Sequence, residues 1–306
     1  MLRYVIGRLV GAVPTLFVIV TVAFFLIRVA PGGPFNLERP LPPQIMANLE
    51  AYYGLDRPLW EQYVAYLKGL VTGDLGPSYV YRDFTVDELL RQGLPVSIQL
   101  GGTALLLALV VGAALGTYAA VRQNRPADVG VMTLAMVGIT IPNFVMAPVL
   151  TLVLAIWLGW LPAGGWGEGS LLHKILPIFT LALPQIAIIA RLTRGSMIEV
   201  LRAHHIRTAR ANGLPPAVVT RRALRGALLP VVSYLGPAAA ALLTGSVVIE
   251  TIFGIPGIGR YFVQGALNRD YTLVMGTVVT VALFVVLFNL VVDLLYAVLD
   301  PKVRYD

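Results

Sequence analysis

Six long apolar runs divide this chain of 306 residues. Each run can cross a bilayer as an α-helix, because a helix rises about 1.5 Å per residue and the hydrocarbon core is about 30 Å thick. The sequence therefore predicts an all-α membrane protein with six transmembrane helices. The first run is too long for the apolar region of a signal peptide, so we expect it to remain as a membrane span. The runs are 9–29, 98–121, 131–158, 174–193, 228–250 and 273–299.

The fourth run gives the weakest signal, because it contains Lys174 and two prolines, Pro177 and Pro184. The second run contains Gly112 and Gly116, four residues apart. Small residues at this spacing allow two helix backbones to approach closely in a membrane. We therefore expect these glycines to form a helix-packing contact.

The positions of Lys and Arg indicate how the helices are oriented, because basic residues favour the cytoplasmic side of a membrane. Basic residues occur near both ends of the chain, within 3–8 and 302–304, and in the connections 122–125 and 191–225. An even number of spans places all four regions on the same side. We therefore expect both termini to be cytoplasmic.

The connection 191–225 is the most strongly charged part of the chain, with eight arginines and a single acid, Glu199. Such a segment does not lie in hydrocarbon. Residues 206–212 predict a short polar helix that ends at Gly213 in the left-handed conformation, and a second helix follows. Arg207 and Arg210 lie three residues apart, on one face of that helix. We interpret the connection as a rigid cytoplasmic element on which a partner acts.

A long segment after the first run, residues 31–95, contains eight acidic and five basic residues. Apolar residues at helical spacing predict one helix between Ile45 and Tyr53 and another between Trp60 and Val71. Thr85 and Glu88 have the spacing of a capping box at a further helix start. The segment is therefore a helical insertion on the outer side, and it either caps the spans or also docks an external partner.

Residues 250–259 are too apolar for a solvated turn and too rich in Gly and Pro for a continuous helix. Non-helical backbone at membrane depth requires burial in protein or a lining role at a cavity. The segment is either a short re-entrant element or an outer loop packed on neighbouring helices. Asp293 in the last run, with Asn289 on the same face, has two further interpretations. An acid within a membrane is a functional candidate, but we favour pairing with an arginine at the inner end of a neighbouring helix.

The composition excludes several classes of protein. A mean hydropathy of +0.78 with 13% charged residues excludes an ordinary soluble domain. The net charge of +7 follows from the basic connections, so we do not expect nucleic-acid binding. There is no cysteine, and the neighbours His204 and His205 point about 100° apart on a helix, so no metal site is predicted. The dipeptide Gly-Lys of a phosphate-binding loop is absent. We therefore expect the chain to form a path across the membrane but to have no energy source of its own.

Several separated motifs resemble those of ABC importer permeases, in the oligopeptide/dipeptide branch. Glu199, residues 206–214 and residues 227–230 are similar to the cytoplasmic coupling loop of that family. The resemblance covers essentially the whole chain. Further similar stretches are 28–34, 73–76, 249–259 and 293–304, and 38–48, 195–199 and 265–271 are most similar to the B permease subunits of oligopeptide importers.

The resemblance implies the type I importer permease fold in a bacterial inner membrane. It divides the chain into the first span (1–30), an extracytoplasmic helical insertion (31–97) and a five-helix core (98–306) with a coupling loop (192–228). It implies four partners: a second homologous permease in a heterodimer, two ATP-binding subunits that hold ATP and Mg, and an extracytoplasmic substrate-binding protein. The substrate would be a peptide. The chain itself is then expected to bind no cofactor and to catalyse no reaction.

The resemblance also implies roles for individual residues. Because Arg207 stands where the general loop motif of the family has Glu, a salt bridge made by that Glu is not implied here. Residues expected to couple to the ATPases are Glu199, Ile206, Arg207, Thr208, Ala209, Arg210, Ala211, Gly213 and Leu214. Residues expected to line the translocation path are Ser233, Tyr234, Thr244 and Ser246, and those expected at an outer gate are Phe253, Pro256 and Gly257.

Other functions remain open at this point. The same permease architecture serves importers of dipeptides, glutathione or nickel chelates. An ion-coupled secondary transporter would require an ionisable or unwound site near the middle of the membrane, and the spans show no convincing one. An assembly or scaffold protein would have the basic loop only as an orientation signal.

Overall fold

The computed structural model describes residues 2–29, 32–35, 42–81, 83–167 and 170–299. Regular structure in these residues is helical, apart from one isolated bridge between Pro77 and Thr85. Predictions that rest on residues 36–41, Arg82 and 300–306 lie outside the described residues. The helices are α1 (Leu2–Val29), α2 (Pro43–Tyr52), α3 (Leu59–Thr72), α4 (Val86–Val121), α5 (Pro126–Thr140), α6 (Asn143–Leu150), α7 (Leu171–Leu201), α8 (His204–Ala211), α9 (Pro216–Ala227), α10 (Leu229–Phe253), α11 (Ile258–Leu267) and α12 (Tyr271–Leu299).

Five of these helices, α1, α4, α7, α10 and α12, are long and apolar enough to cross a membrane. The third predicted span is instead a bent pair, in which α5 meets α6 and its π-helical continuation Thr151–Trp157 at 106°. The break falls at Pro142, which lacks a backbone N–H and holds Ile141 extended at ψ 117°. The chain has six spans if this pair counts as one. The expectation of a continuous third helix was wrong.

The fourth predicted span, α7, is the centre of the bundle. Of its most apolar window 56% is buried in the protein, against 11% for α1. Its polar residues are therefore shielded from lipid. The expectation that this run is the weakest of the spans was wrong, because the most apolar stretch of α10 is less apolar than that of α7. Lys174 is buried, donates a hydrogen bond to Gln99 Oε1 at 3.2 Å and lies 4.7 Å from the ring centroid of Trp166. Around α7, the main apolar core is built from α4, α6 and α10.

The helices α4 and α7 form the closest pair in the bundle. A Cβ at Gly112 would lie 2.9 Å from the Ile186 carbonyl oxygen, and one at Gly116 would overlap the carbonyl oxygen of Ala190. Only glycine allows this approach of the two backbones. The predicted helix-packing contact at these glycines is confirmed.

The insertion after α1 packs on α1 and α12. The two predicted helices are α2 and α3, and the Thr85 N–H donates to Glu88 Oε2 at 3.0 Å, as a capping box requires. Helix α4 begins at Val86 and continues through residue 97 without interruption. The boundary that we expected between 97 and 98 therefore falls inside one helix, because the span is extended by three turns outside the apolar run.

Candidate functional site

The short helix α8 lies between the end of α7 and the start of α9. It is held to them by its inner face, where Ile206 is fully buried and Ala209 is 4% exposed. Ile206 belongs to an apolar cluster with Met197 of α7, Val219 of α9 and Ala120 of α4. Burying one such aliphatic side chain contributes about 1.5–3 kcal/mol. The inner face therefore fixes α8 to three other helices.

The end of α8 is a Schellman motif centred on Gly213, which has φ 73°. The Gly213 N–H donates to the Arg210 carbonyl at 3.0 Å, and the Leu214 N–H donates to the Ala209 carbonyl at 3.3 Å. Leu214 then packs on the same apolar cluster as Ile206. The predicted left-handed end at Gly213 is confirmed. A Cβ there would meet no atom within 4 Å, so glycine serves the backbone conformation and not close packing within this chain.

The outer face of α8 is exposed and basic. Arg207, Arg210 and Ala211 are exposed, as is Glu199 near the end of α7. Thr208 is also exposed, but its hydroxyl donates to the His204 carbonyl at 3.1 Å. The predicted coupling residues therefore fall into two groups. Ile206, Ala209 and Leu214 position the helix, whereas Glu199, Arg207, Thr208, Arg210, Ala211 and Gly213 are available to a partner.

An ion pair that the sequence did not reveal supports this end of the bundle. Asp128, 2% exposed at the start of α5, accepts from Arg194 Nε at 2.6 Å and from Arg194 Nη2 at 2.7 Å. The Asn124 N–H donates to the same carboxylate at 2.9 Å. The two-pronged pair fixes the turn before α5 to α7, about two turns before α7 ends. In the sequence, the only indication of this pair is an acidic residue three positions after Arg125, in a region that is otherwise basic.

The four residues expected to line the translocation path do not share one face of α10. Ser233 and Thr244 are exposed and lie eleven residues apart, or close to three turns. Tyr234 is half-buried and its hydroxyl donates to Gln185 of α7 at 2.8 Å. Ser246 is 1% exposed and bonds to the Leu243 carbonyl at 2.8 Å. Within this chain, Ser246 therefore faces the protein core. The apolar residues one turn before and one turn after it on α10 are also buried.

The segment 250–259 folds as the end of α10, a tight turn and the start of α11. Gly254 ends α10 at φ 65°, and Ile255 after it is fully buried. Of the expected gate residues, Phe253 is 2% exposed, Gly257 is buried and Pro256 is half-buried. The segment thus packs against neighbouring helices, which agrees with the second of the two interpretations, a packed outer loop.

A buried polar network holds this turn to α4. The Ser97 hydroxyl donates to Glu250 Oε1 at 2.6 Å and accepts from the Ile258 N–H at 2.9 Å. The Gly259 N–H donates to Glu250 Oε2 at 2.7 Å. Neither Ser97 nor Glu250 exposes any surface. Sequence reasoning missed Ser97, because a single serine in an apolar helix carries no signal of its partner.

Asp293 is paired, as the favoured interpretation predicted. Its carboxylate lies 3.1 Å from Arg8 Nη2, which joins α12 to α1. The pair is partly exposed and lines a cavity of about 300 Å³ with Asn289. Because Asp293 has an arginine partner, its presence within a membrane helix has a structural explanation.

The insertion covers an aromatic cluster at the other end of α1. Phe24 of α1 lies 5.2 Å from Tyr63 and 5.8 Å from Tyr66 of α3 between ring centroids. Burial raises the pKa of Tyr66 to about 12 and raises that of Tyr79 still further above its ordinary value, so both phenols stay protonated. A buried loop anchor lies nearby, where Asp270 accepts from the Ser78 hydroxyl at 2.5 Å. These contacts fix the insertion to α1 and α12.

The opposite surface of the insertion is open. The inner residues of α2 and α3 are at most partly buried, and several large apolar side chains on these helices are exposed. Trp60 is 65% exposed and Val71 is 88% exposed. An exposed apolar patch of this kind marks a site of interaction with another protein or a membrane.

An all-helical bundle with several membrane spans, a short basic helix at one end and a helical insertion at the other defines a membrane permease component. Residues 112–305 match the family described as the binding-protein-dependent transport system inner membrane component. Residues 1–83 match its N-terminal region, the binding-protein-dependent transport system membrane component N-terminal family. The chain belongs to this family and is a multi-pass protein of the inner membrane.

Curated relatives cover the whole chain. It is 54% identical over 306 residues to the oligopeptide transport system permease protein OppB of Escherichia coli strain K12, covering 100% of each. It is 52% identical to OppB of Haemophilus influenzae, again over 100% of both chains. The dipeptide transport system permease protein DppB of Bacillus subtilis is 46% identical, over 99% of this chain and 98% of its own. The predicted resemblance to the oligopeptide/dipeptide branch is confirmed.

Proposed function

We propose that the chain is one of two homologous permease subunits of an ATP-driven oligopeptide importer. The observation that supports this most strongly is the full-length identity of 54% to an OppB protein, together with α8. That helix is anchored by its buried face and presents a basic outer face. Such a helix suits docking on an ATP-binding subunit, which binds ATP and Mg in place of this chain.

In this proposal, α8 carries movement from the ATP-binding subunits into the membrane. Closure of the two ATPases on ATP displaces α8, and the cluster around Ile206 makes α7 and α9 follow. Helix α7 is 31 residues long, about 46 Å at 1.5 Å per residue, and reaches the far end of the bundle. The displacement therefore reorients the core between inward-facing and outward-facing states. Arg207 and Arg210 pair with acids of the ATPase surface.

The orientation follows the positive charge, so α8 and both termini are cytoplasmic and the insertion is extracytoplasmic. The exposed apolar residues of α2 and α3 then dock the substrate-binding protein, which supplies peptide selectivity. The exposed face of α10 with Ser233 and Thr244 lines half of the path, and the paired permease lines the other half. The turn around Pro256 closes the outer end.

The test is reconstitution. The chain is co-expressed with its neighbouring permease and ATPase genes, purified as a complex and placed in proteoliposomes with the binding protein. We expect uptake of labelled oligopeptides that requires ATP, and hydrolysis that the loaded binding protein stimulates. Uptake by this chain alone, or driven by an ion gradient without ATP, would reject the proposal.

The match to DppB makes dipeptide import the second candidate. Competition separates the two, because an oligopeptide importer is blocked by an excess of unlabelled pentapeptide and much less by dipeptide. The opposite order of competition would assign the chain to dipeptide import while leaving its role as a permease intact.

A further inference from the structure

A groove opens between α4 and α9 at the α8 end of the bundle. Its cavity volume is about 700 Å³, within the roughly 300–1,000 Å³ of small-ligand sites. Lining residues on each helix are three and four positions apart, so each wall is one helix face. The α4 wall is Val110, Ala113, Ala114, Thr117, Tyr118 and Val121, the α9 wall is Ala217, Thr220, Arg221 and Leu224, and Arg122 stands at the end of α4.

The length of the groove matches one leaflet of a bilayer. From Val110 to Val121 the α4 wall rises eleven residues, about 16 Å at 1.5 Å per residue. This is about half of the roughly 30 Å hydrocarbon thickness. The charged end of the groove lies where α4 leaves its apolar run, at Arg122. The groove therefore spans from the headgroup level to the middle of the membrane.

The groove wall is not needed for packing within this chain. The opposite face of α4, with Gly112 and Gly116, already contacts α7. On the groove face, Val110 is 59% exposed and Val121 is 53% exposed. Ala120 is buried in the cluster that joins α4 to α9 and does not line the groove. The walls are mostly aliphatic and fit a hydrocarbon chain.

The mouth of the groove is cationic. The Arg122 guanidinium carbon lies 4.4 Å from the centroid of the Tyr118 ring, and Arg122 also contacts the Tyr118 hydroxyl. Arg221 also lines the groove, from α9, and none of the described lining residues is acidic.

We propose that the groove binds an anionic phospholipid. The phosphate lies between Arg122 and Arg221, and one acyl chain lies along the α4 wall. Basic pockets between membrane helices bind anionic headgroups in this way. A helix of the paired permease is the competing occupant, but it would bury two arginines for which the groove lining offers no acidic partner, and burying a charge without a partner costs several kcal/mol. Because α9 continues from α8, the lipid joins α4 to the helices that carry α8.

The experiment uses the complex of this chain with its permease and ATPase partners. Native mass spectrometry titrates phosphatidylglycerol onto the delipidated complex, with phosphatidylcholine as the comparison lipid. In the variant Arg122→Gln/Arg221→Gln we expect affinity for phosphatidylglycerol to fall about thirtyfold, since each arginine near a lipid headgroup contributes about 1 kcal/mol. Ala114→Trp fills the exposed wall without touching either arginine, and we expect it to displace the same lipid.

The matched control is Arg125→Gln/Arg222→Gln. Both arginines are exposed and neither lines the groove, so the same charge is removed from the same region. We expect the control to bind phosphatidylglycerol like the unaltered complex. Equal loss in both double variants, or equally tight binding of phosphatidylcholine, would overturn the proposal.

A second measurement addresses the competing occupant. The chain contains no cysteine, so Ala114→Cys introduces a unique label on the groove wall. A bifunctional reagent that joins this cysteine to the paired permease in most complexes would show that protein fills the groove. Labelling instead by a photoactivatable phosphatidylglycerol, with crosslinks mapped to α4 and α9, supports the lipid.

Discussion

Replacing Gly213 tests whether α8 must end where it does. The φ angle of 73° is the left-handed region, and a Cβ would find open space, so the cost of a side chain is conformational only. That conformation costs an L-residue about 1–2 kcal/mol. We therefore expect Gly213→Ala to lose about 1 kcal/mol and Gly213→Val, which is β-branched, about 2 kcal/mol or more. Gly213→Asn is the matched control, because asparagine adopts the left-handed region readily.

The backbone strain of a side chain at this position has one of two consequences. If the backbone keeps its conformation, the complex is merely less stable. If the strain is relieved by a change of φ, the chain loses the hydrogen bonds of the Gly213 and Leu214 N–H groups and draws Leu214 out of its apolar cluster. Each such hydrogen bond contributes about 1 kcal/mol, so the two outcomes are close in free energy for valine. The C-terminal end of α8 is then no longer fixed, while Ile206 still anchors the inner face of the helix.

The assay is the ratio of peptide taken up to ATP hydrolysed in proteoliposomes, with the thermal unfolding temperature measured in parallel. We expect the ratio to fall in the order glycine, asparagine, alanine, valine, while the complex still assembles and still docks the binding protein. A valine variant with an unchanged ratio would refute the role of this turn. Equal losses for asparagine and valine would show that the site requires the absence of a side chain, and so contact with a partner.

Three further variants test the parts that support α8 and the turn after α10. Gly116→Val places a side chain against the α7 backbone, and we expect failure to assemble or a loss of about 1–3 kcal/mol or more in stability by thermal unfolding. Gly195→Ala, which meets open space, is expected to stay near the unaltered protein. Asp128→Ala leaves Arg194 without its partner and is expected to cost about 3 kcal/mol, and the double change to alanine at both positions recovers part of this loss in a double-mutant cycle. Ser97→Ala leaves two buried groups unsatisfied and is expected to cost about 1–3 kcal/mol by thermal unfolding, with no loss of ATPase binding.

The sequence predicted features that depend on local pattern. The apolar runs located the spans, and Gly213 marked the end of α8 because a left-handed residue is needed there. The capping box at Thr85 was also correct, since its two residues are three apart. Pro142 could have predicted the broken third span, but hydropathy alone suggested a continuous helix. Lys174 and the two prolines suggested that α7 is the weakest span, but its most apolar stretch is more apolar than that of α10. A single sequence does not show that Lys174 is buried among neighbouring helices.

Contacts between distant residues could not be predicted. Ser97 and Glu250 are 153 positions apart, and Asp128 and Arg194 are 66 apart. A single sequence shows which face of a helix a residue occupies and does not show which helix that face meets. The coupling residues illustrate the limit, since the pattern correctly placed Ile206 and Arg207 on one short helix. Which of the two faces inward is decided by the cluster that α7 and α9 supply.

In the proposed mechanism, contacts at two levels of α4 explain how a displacement of α8 reaches the far end of the bundle. Ala120 lies in the cluster that holds α8, and Ser97 holds the turn after α10. The two residues are 23 positions apart, or about 35 Å of helix, and along this length Gly112 and Gly116 bring α4 into backbone contact with α7. Two helices in such contact resist bending more than either alone, so we expect α4 and α7 to move together. Loss of the glycine contact should therefore uncouple the two levels even where the contacts of Ala120 and Ser97 are intact.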